Sequence, residues 1–175
     1  NYSITDWLFV GYGLSKYRMT SDFQAKILLL RQTRDNKIPV DVALYGNFAI
    51  DGRNERNFGM NYEFANRFTY FSELMIARKF THWFVLQAGV SFTHFNAVEP
   101  GYEHDKIGLH FLAHARFTPQ SAILVNFDWP LIVTGIAENI PIKDPPKPNL
   151  AFGYEVSTST HVFQIFAGTT TMLVP

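Results

Sequence analysis

Apolar residues alternate with polar or small residues along most of the chain, in segments of about ten residues separated by turn-forming clusters. A period of two is typical of strands that present two different faces. The clearest case begins at Phe84, where every second residue as far as Phe92 is apolar. About nine strands are predicted in this way. They are Trp7–Ser15, Phe23–Gln32, Val40–Ile50, Phe64–Ala77, Phe84–His94, Lys106–Phe117, Ala122–Leu131, Leu150–Ser157 and Val162–Thr170.

Two stretches interrupt the alternation and are predicted to be loops. Residues Asp51–Glu63 are rich in Gly, Asn, Arg and Glu, a composition that suits a solvated loop. The stretch after Leu131 contains Pro141, Pro145, Pro146 and Pro148, and this much proline cannot pair as a central strand.

The second face of the strands decides between two kinds of antiparallel barrel. In a soluble lipocalin-like barrel the apolar face points inward, and the outside carries many Lys and Glu with few glycines. Here the second face mixes small residues with polar side chains and charges of both signs, which favours the narrow lumen of a membrane barrel. The residues predicted to form a polar network in this lumen are Lys26, Asp41, Arg67, Glu73, Gln87, His110, His114, Arg116, Asn126, Asp128 and Glu155.

The apolar face is then predicted to contact lipid, and the segment length agrees, because a tilted membrane strand needs about 9–11 residues. The residues predicted to face lipid are Leu86, Val90, Ile107, Leu109, Phe111, Ile123 and Val125. Aromatic residues towards the segment ends are predicted to lie at the membrane interfaces. They are Trp7, Tyr12, Tyr70, Trp83, Trp129 and Tyr154.

Composition narrows the classes of function. Aromatic residues make up 16% of the chain, more than a soluble core of this size requires. The 15 basic and 15 acidic residues balance, so no net field favours nucleic acid. Cys is absent, which excludes disulfides, thiolate metal sites and cysteine nucleophiles. The longest aliphatic run, Ile27–Leu30, is far shorter than the ~20 residues of a membrane-spanning helix.

Several short phrases resemble an uncharacterised family of outer-membrane β-barrels from Gram-negative bacteria, a domain of unknown function. The phrases occur in family order, and they are Tyr2–Asp6, Leu29–Gln32 followed by Ile38–Val40, Leu74–Phe80 and His161–Gln164. The resemblance implies a barrel with short periplasmic turns, located in the bacterial outer membrane. It implies no substrate, cofactor or active-site residue.

We therefore predict an all-β protein, an antiparallel up-and-down transmembrane β-barrel formed by one domain, residues 1–175. Single-chain bacterial barrels have an even number of strands, and an open edge leaves backbone groups unpaired in lipid. The final residues 171–175 also lack the amphipathic, aromatic-ended strand that is usual in such barrels. We expect one to three strands to be missing at one or both ends, giving about ten to twelve in the intact barrel.

No catalytic, cofactor or metal site is predicted. His110 and His114 share a face, but four residues along a strand separate them by about 13 Å, too far to chelate one metal. His94 and His104 flank a loop that would allow them to approach each other, but the neighbouring Glu99, Glu103 and Asp105 are ordinary loop composition and no metal site is predicted there. Serines and histidines occur without the spacing of a barrel hydrolase.

Three functions are ranked from these observations: a structural or accessory subunit of an outer-membrane assembly, a small passive channel, and a barrel enzyme. A soluble ligand-binding barrel is kept as a further alternative. Because a barrel of about ten strands is nearly filled by side chains, the lumen charges favour an ion-pair plug over an open channel. The expected partners are membrane lipids and other outer-membrane proteins, without nucleic acid.

Overall fold

The computed structural model describes residues 2–99, 101–132 and 146–169, and these form one antiparallel sheet. Each strand pairs with its neighbours in sequence, so the sheet is an up-and-down meander. The ten strands are β1 Tyr2–Ser3, β2 Leu8–Leu14, β3 Ser21–Leu30, β4 Asp41–Ile50, β5 Phe68–Lys79, β6 Phe84–Phe95, β7 Asp105–Arg116, β8 Ser121–Leu131, β9 Asn149–Ser157 and β10 Val162–Gly168. Within the described ranges, no ladder joins β1 or β2 to β10.

The predicted fold class is confirmed, and the nine predicted segments correspond to β2–β10 with shifted ends. The tenth strand, Tyr2–Ser3, pairs with Phe9 and Val10 but is too short to show any periodicity. The largest shift is at β5, which begins at Phe68 rather than Phe64 because residues Phe64–Arg67 form a 3-10 turn. Pro141, Pro145 and residues 170–175, which figured in the predictions, lie outside the described residues.

The two ends of the sheet carry different connections. At one end, which we call the short-turn end, the links are residues 4–7, 31–40, 80–83, 117–120 and 158–161. At the other end, the long-loop end, residues 15–20 and 51–67 link the strands, and there β6 connects to β7 and β8 to β9. Four of the five links at the short-turn end have only four residues, and short turns on one side with longer loops on the other are the usual asymmetry of membrane barrels.

The register sorts the side chains of the strands onto two faces. Leu86, Val90 and Phe111 share one face, the outer face, together with the other residues predicted to contact lipid. Val90 is 43% exposed and Phe111 44%. No large side chain is fully buried among the described residues. In water this arrangement would leave most of the apolar surface solvated, at about 25 cal/mol per Å², whereas a hydrocarbon surrounding removes that cost.

The opposite face, the inner face, is more enclosed and carries the polar side chains. Its most buried members include Ser91, which is 5% exposed, and Asn149, which is 7% exposed. No helix in the described ranges is long and apolar enough to cross a bilayer.

The aromatic residues predicted to lie at the interfaces fall into two groups. Trp7, Trp83 and Tyr154 lie in or near the connections of the short-turn end. Tyr12, Tyr70 and Trp129 lie near the long-loop end of their strands. All six are more than 40% exposed, so their rings are available to a surrounding phase at both ends of the sheet.

Candidate functional site: a polar network on the inner face

Three side chains from three adjacent strands form the centre of the inner face. The Oγ of Ser91 on β6 lies 2.6 Å from Nε2 of His110 on β7. The Nδ1 of the same ring lies 2.9 Å from Oδ1 of Asp128 on β8. In a neutral imidazole beside an ionised carboxylate, which only accepts hydrogen bonds, Nδ1 carries the proton and Nε2 is left to accept from the Ser91 hydroxyl. The result is a Ser–His–Asp chain across the sheet.

Two asparagine amides donate hydrogen bonds to the second carboxylate oxygen of Asp128. Its Oδ2 accepts from Nδ2 of Asn126 at 2.8 Å and from Nδ2 of Asn149 at 3.0 Å. Asn126 lies two residues before Asp128 on the same face of β8, and Asn149 is paired with Asp128 across the β8–β9 ladder. Both carboxylate oxygens are therefore hydrogen-bonded, as a carboxylate in an enclosed site requires.

Glycines make room for this centre. A Cβ added at Gly108 would lie 3.0 Å from Oγ of Ser91 and 3.1 Å from Nε2 of His110. A Cβ at Gly89 would meet the carboxylate of Glu73. The small residues on the polar face are thus explained by close approach of their polar neighbours.

Glu73 and Lys26 add two opposite charges to the centre. Glu73 is paired with Ser91 across the β5–β6 ladder and with Tyr45 across the β4–β5 ladder, and Tyr45 is paired in turn with Lys26 of β3. Charges of both signs therefore meet on the enclosed face.

Two further polar clusters flank the centre. On β3 and β4, Tyr45 donates its hydroxyl to Gln24 at 3.1 Å, and Asp22 accepts from Gln24 and Asn47. On the other side, Glu155 accepts from Nε2 of Gln164 at 2.7 Å.

His110 and His114 have separate partners, as expected from their separation along β7. Nε2 of His114 lies 3.6 Å from Oε1 of Glu155, whereas His110 binds Ser91 and Asp128. His94 and His104 do approach each other, with ring centroids 6.1 Å apart, and His94 also binds Asp105. No cluster of three or more potential metal ligands occurs in the described ranges.

Three of the residues predicted for the polar network lie elsewhere or at its edge. The placement of Arg67 at a strand centre is wrong, because it ends the 3-10 turn before β5. Asp41 is the first residue of β4 and Arg116 the last of β7, so both lie at the short-turn rim. Gln87 lies on the inner face, between Ala77 and Leu112 across the ladders.

Arg67 instead forms hydrogen bonds within the loop between β4 and β5. Its Nε donates to Tyr62 at 2.6 Å, and its Nη1 donates to the carbonyls of Asp51, at 2.7 Å, and Arg53. Arg53 binds the Asp51 carboxylate at 2.7 Å. Both guanidinium groups contact the ring of Phe58, at 5.0 Å for Arg67 and 5.6 Å for Arg53. The loop is therefore held by specific contacts.

Burial works to raise the pKa of the Asp51 carboxyl, but hydrogen bonds from the Arg53 side chain and backbone and its positive charge outweigh it. The net result is a pKa below the ordinary value of 3.8. The same ion pair raises the pKa of Arg53.

Sequence reasoning missed Ser91, Asn149 and Asp22 as members of the network. Serine, asparagine and aspartate are common on polar faces, and nothing local marks these three. Their signal is the cross-strand register, which places Ser91 between Glu73 and Gly108 and Asn149 opposite Asp128.

A meander of amphipathic strands, an apolar exposed face, aromatic residues at both ends and a polar enclosed face together define a membrane-spanning β-barrel protein. Comparison of the sequence with protein families agrees. A family described as "Membrane bound beta barrel domain (DUF5777)" matches residues 1–175, and the chain belongs to this family. The comparisons with curated proteins and with solved structures give no match. Family membership excludes the soluble lipocalin-like alternative.

Proposed function

We propose that the chain is a non-conducting barrel of the bacterial outer membrane that acts as a structural or accessory subunit of an assembly of outer-membrane proteins. The observation that carries the proposal is the self-paired network on the inner face. Ser91, His110, Asp128 and Asn149 satisfy one another across four strands, β6–β9. Polar groups that are already paired offer little to a passing solute, which favours an interior that does not conduct.

The same centre resembles the Ser–His–Asp arrangement of serine hydrolases, yet three features oppose hydrolysis. Ser91 is 5% exposed, so a substrate carbonyl cannot reach its hydroxyl. It lies in mid-strand between β5 and β7, where backbone N–H groups are committed to ladders and cannot form an oxyanion hole. The carboxylate of Glu73, opposite Ser91, would repel a developing oxyanion.

Conductance in planar bilayers tests the closed interior. We expect the wild-type chain to give no steady current. A His110→Ala/Asp128→Ala double variant should show leak currents, because it removes the centre of the network. Retention of the folded, heat-modifiable band on electrophoresis would show that the variant barrel is intact. Steady wild-type conductance would instead support the passive channel.

Two separate measurements test the other parts of the proposal. A fluorophosphonate probe should leave Ser91 unlabelled, and labelling that is lost in Ser91→Ala would support an enzyme. Extraction in mild detergent followed by native electrophoresis should place the chain in a complex with other membrane proteins. Migration as an isolated barrel after gentle extraction and cross-linking would contradict the accessory role.

A further inference from the structure

A cleft of about 630 Å³ opens at the short-turn end, between the β3–β4 turn and the β5–β6 turn. Its walls include Arg31, Arg34, Arg78 and Lys79, with His82 nearby. It lies apart from the Ser91 centre, which is in the middle of the strands. Three arginines and one lysine line this one cleft in a chain whose net charge is zero.

One glutamine links the two turns that form the cleft. The backbone N–H of Gln32 donates to Oδ1 of Asp41 at 2.8 Å. Its Nε2 donates to the carbonyl of Lys79 at 3.0 Å, and its Oε1 accepts from the N–H of Lys79 at 2.9 Å. These contacts fix the two turns relative to each other. The hydrogen bond from the Gln32 N–H also engages one oxygen of Asp41, whose carboxylate belongs to a residue that lines the cleft.

The cations of the cleft lack counter-ions. None of Arg31, Arg34, Arg78 and Lys79 forms an ion pair with a carboxylate in the described ranges. The Nε of Arg78 is buried and has no hydrogen-bond partner there. Its guanidinium carbon lies 5.0 Å from the centre of the Phe80 ring, within the range of a cation–π contact. A buried guanidinium donor without a partner calls for an acceptor, and a phosphate oxygen fits its geometry.

The position of Arg78 indicates which kind of molecule would carry such a phosphate. Arg78 is paired with Leu86 on the outer face, and Phe80 and Trp83 lie exposed beside it. The cleft therefore meets the outer face at the level of the interfacial aromatics, where phospholipid headgroups lie.

We propose that this cleft is a phosphate-binding site that holds the headgroup of an anionic phospholipid at the membrane interface. Arg78 contacts the phosphate from the lipid side, while Arg31 and Arg34 supply charge from the β3–β4 turn. Guanidinium groups suit the task because they bind phosphate in a bidentate manner.

Binding to lipid nanodiscs tests the site with the full chain. Native mass spectrometry of protein released from nanodiscs of phosphatidylglycerol mixed with phosphatidylcholine should show preferential retention of phosphatidylglycerol. Arg31→Gln/Arg34→Gln and Arg78→Gln should each reduce that preference about tenfold or more, since each removes charge-assisted hydrogen bonds. Lys37→Gln is the matched control, because Lys37 lies in the same turn, is 84% exposed and pairs with Asp35.

Each outcome bears on the proposal. A preference lost in the cleft variants and kept in Lys37→Gln supports a lipid site. Binding of inorganic phosphate that the cleft variants abolish, without any lipid preference, overturns the lipid assignment in favour of free phosphate. Equal retention of both lipids with no phosphate binding overturns the site altogether, as does an equal loss in Lys37→Gln. None of these outcomes depends on whether the interior conducts.

Discussion

Ser91 and His110 are separated by 19 positions in the sequence, yet Oγ of the first lies 2.6 Å from Nε2 of the second. The contact depends on the register of β6 against β7, in which Ser91 is paired with Gly108, two residues from His110 on the same face. A shift of one residue in that register would move one partner to the outer face. The polar centre and the strand register therefore specify each other.

The carboxylate of Asp128 should be the most sensitive point of this centre. Asp128→Ala leaves the donors of His110, Asn126 and Asn149 without their acceptor, so we expect a loss of about 1–3 kcal/mol in the free energy of unfolding. Guanidinium unfolding of the chain folded into phospholipid vesicles measures it. Asp6→Ala, in an exposed turn, is the control and should change stability by less than about 0.5 kcal/mol. Equal effects of the two substitutions would contradict the importance of the network.

Gly108 should be intolerant of a side chain. In Gly108→Ala the new Cβ meets Ser91 and His110 at 3.0 and 3.1 Å, and separating them should cost about 1–3 kcal/mol. Gly46→Ala is a matched control, because its Cβ would meet only the Phe71 carbonyl, at 3.9 Å. The same vesicle unfolding experiment compares them. A Gly108→Ala barrel as stable as Gly46→Ala would show that the close packing is not needed.

The absence of cysteine makes single-cysteine labelling free of background. We expect Val90→Cys and Leu86→Cys, on the outer face, to react with a lipid-soluble maleimide and to resist a charged, membrane-impermeant one. Lys37→Cys, in an exposed turn, should react with the charged reagent. Rapid reaction of Val90→Cys with the charged reagent in intact vesicles would place that face in water and contradict the predicted orientation of the strands.

The loop fastened by Arg53 and Arg67 should loosen in acid. The folded pKa of Asp51 lies below its ordinary value of 3.8, so its stabilising contribution is fully present above that pH. The contribution is lost as the pH falls through the lower folded value. The protection of residues 51–67 against hydrogen exchange, taken relative to the intrinsic exchange rate at each pH, should therefore fall below about pH 4. Asp51→Asn should remove this pH dependence and leave the loop less protected against exchange at every pH. If the pH profile of the variant equals that of the wild type, the role of the ion pair is contradicted.

The sequence predicts much of the fold and part of the polar site. The alternation from Phe84 to Phe92 predicts β6 almost to its ends, because a strand with two chemically different faces has to alternate. It also assigns His110 and Asp128 to one face. It fails at Arg67, since nothing in the local composition distinguishes a 3-10 turn from the first residues of a strand. The partnership with Ser91 is missed because it arises from pairing between strands, which periodicity within one strand does not contain.

The meander order has a consequence for how the chain reaches its structure. Among the described strands, every ladder joins strands that follow each other in the chain, which keeps the contact order lower than in a sheet that pairs distant strands. Such a chain can grow from either side by adding one hairpin at a time to an existing edge. A half-built sheet then presents one template strand at each edge for the next hairpin to join. Substitutions that misplace a turn in the middle of the chain should therefore separate the two halves of the sheet, whereas the same error in the first or last hairpin should leave the rest assembled.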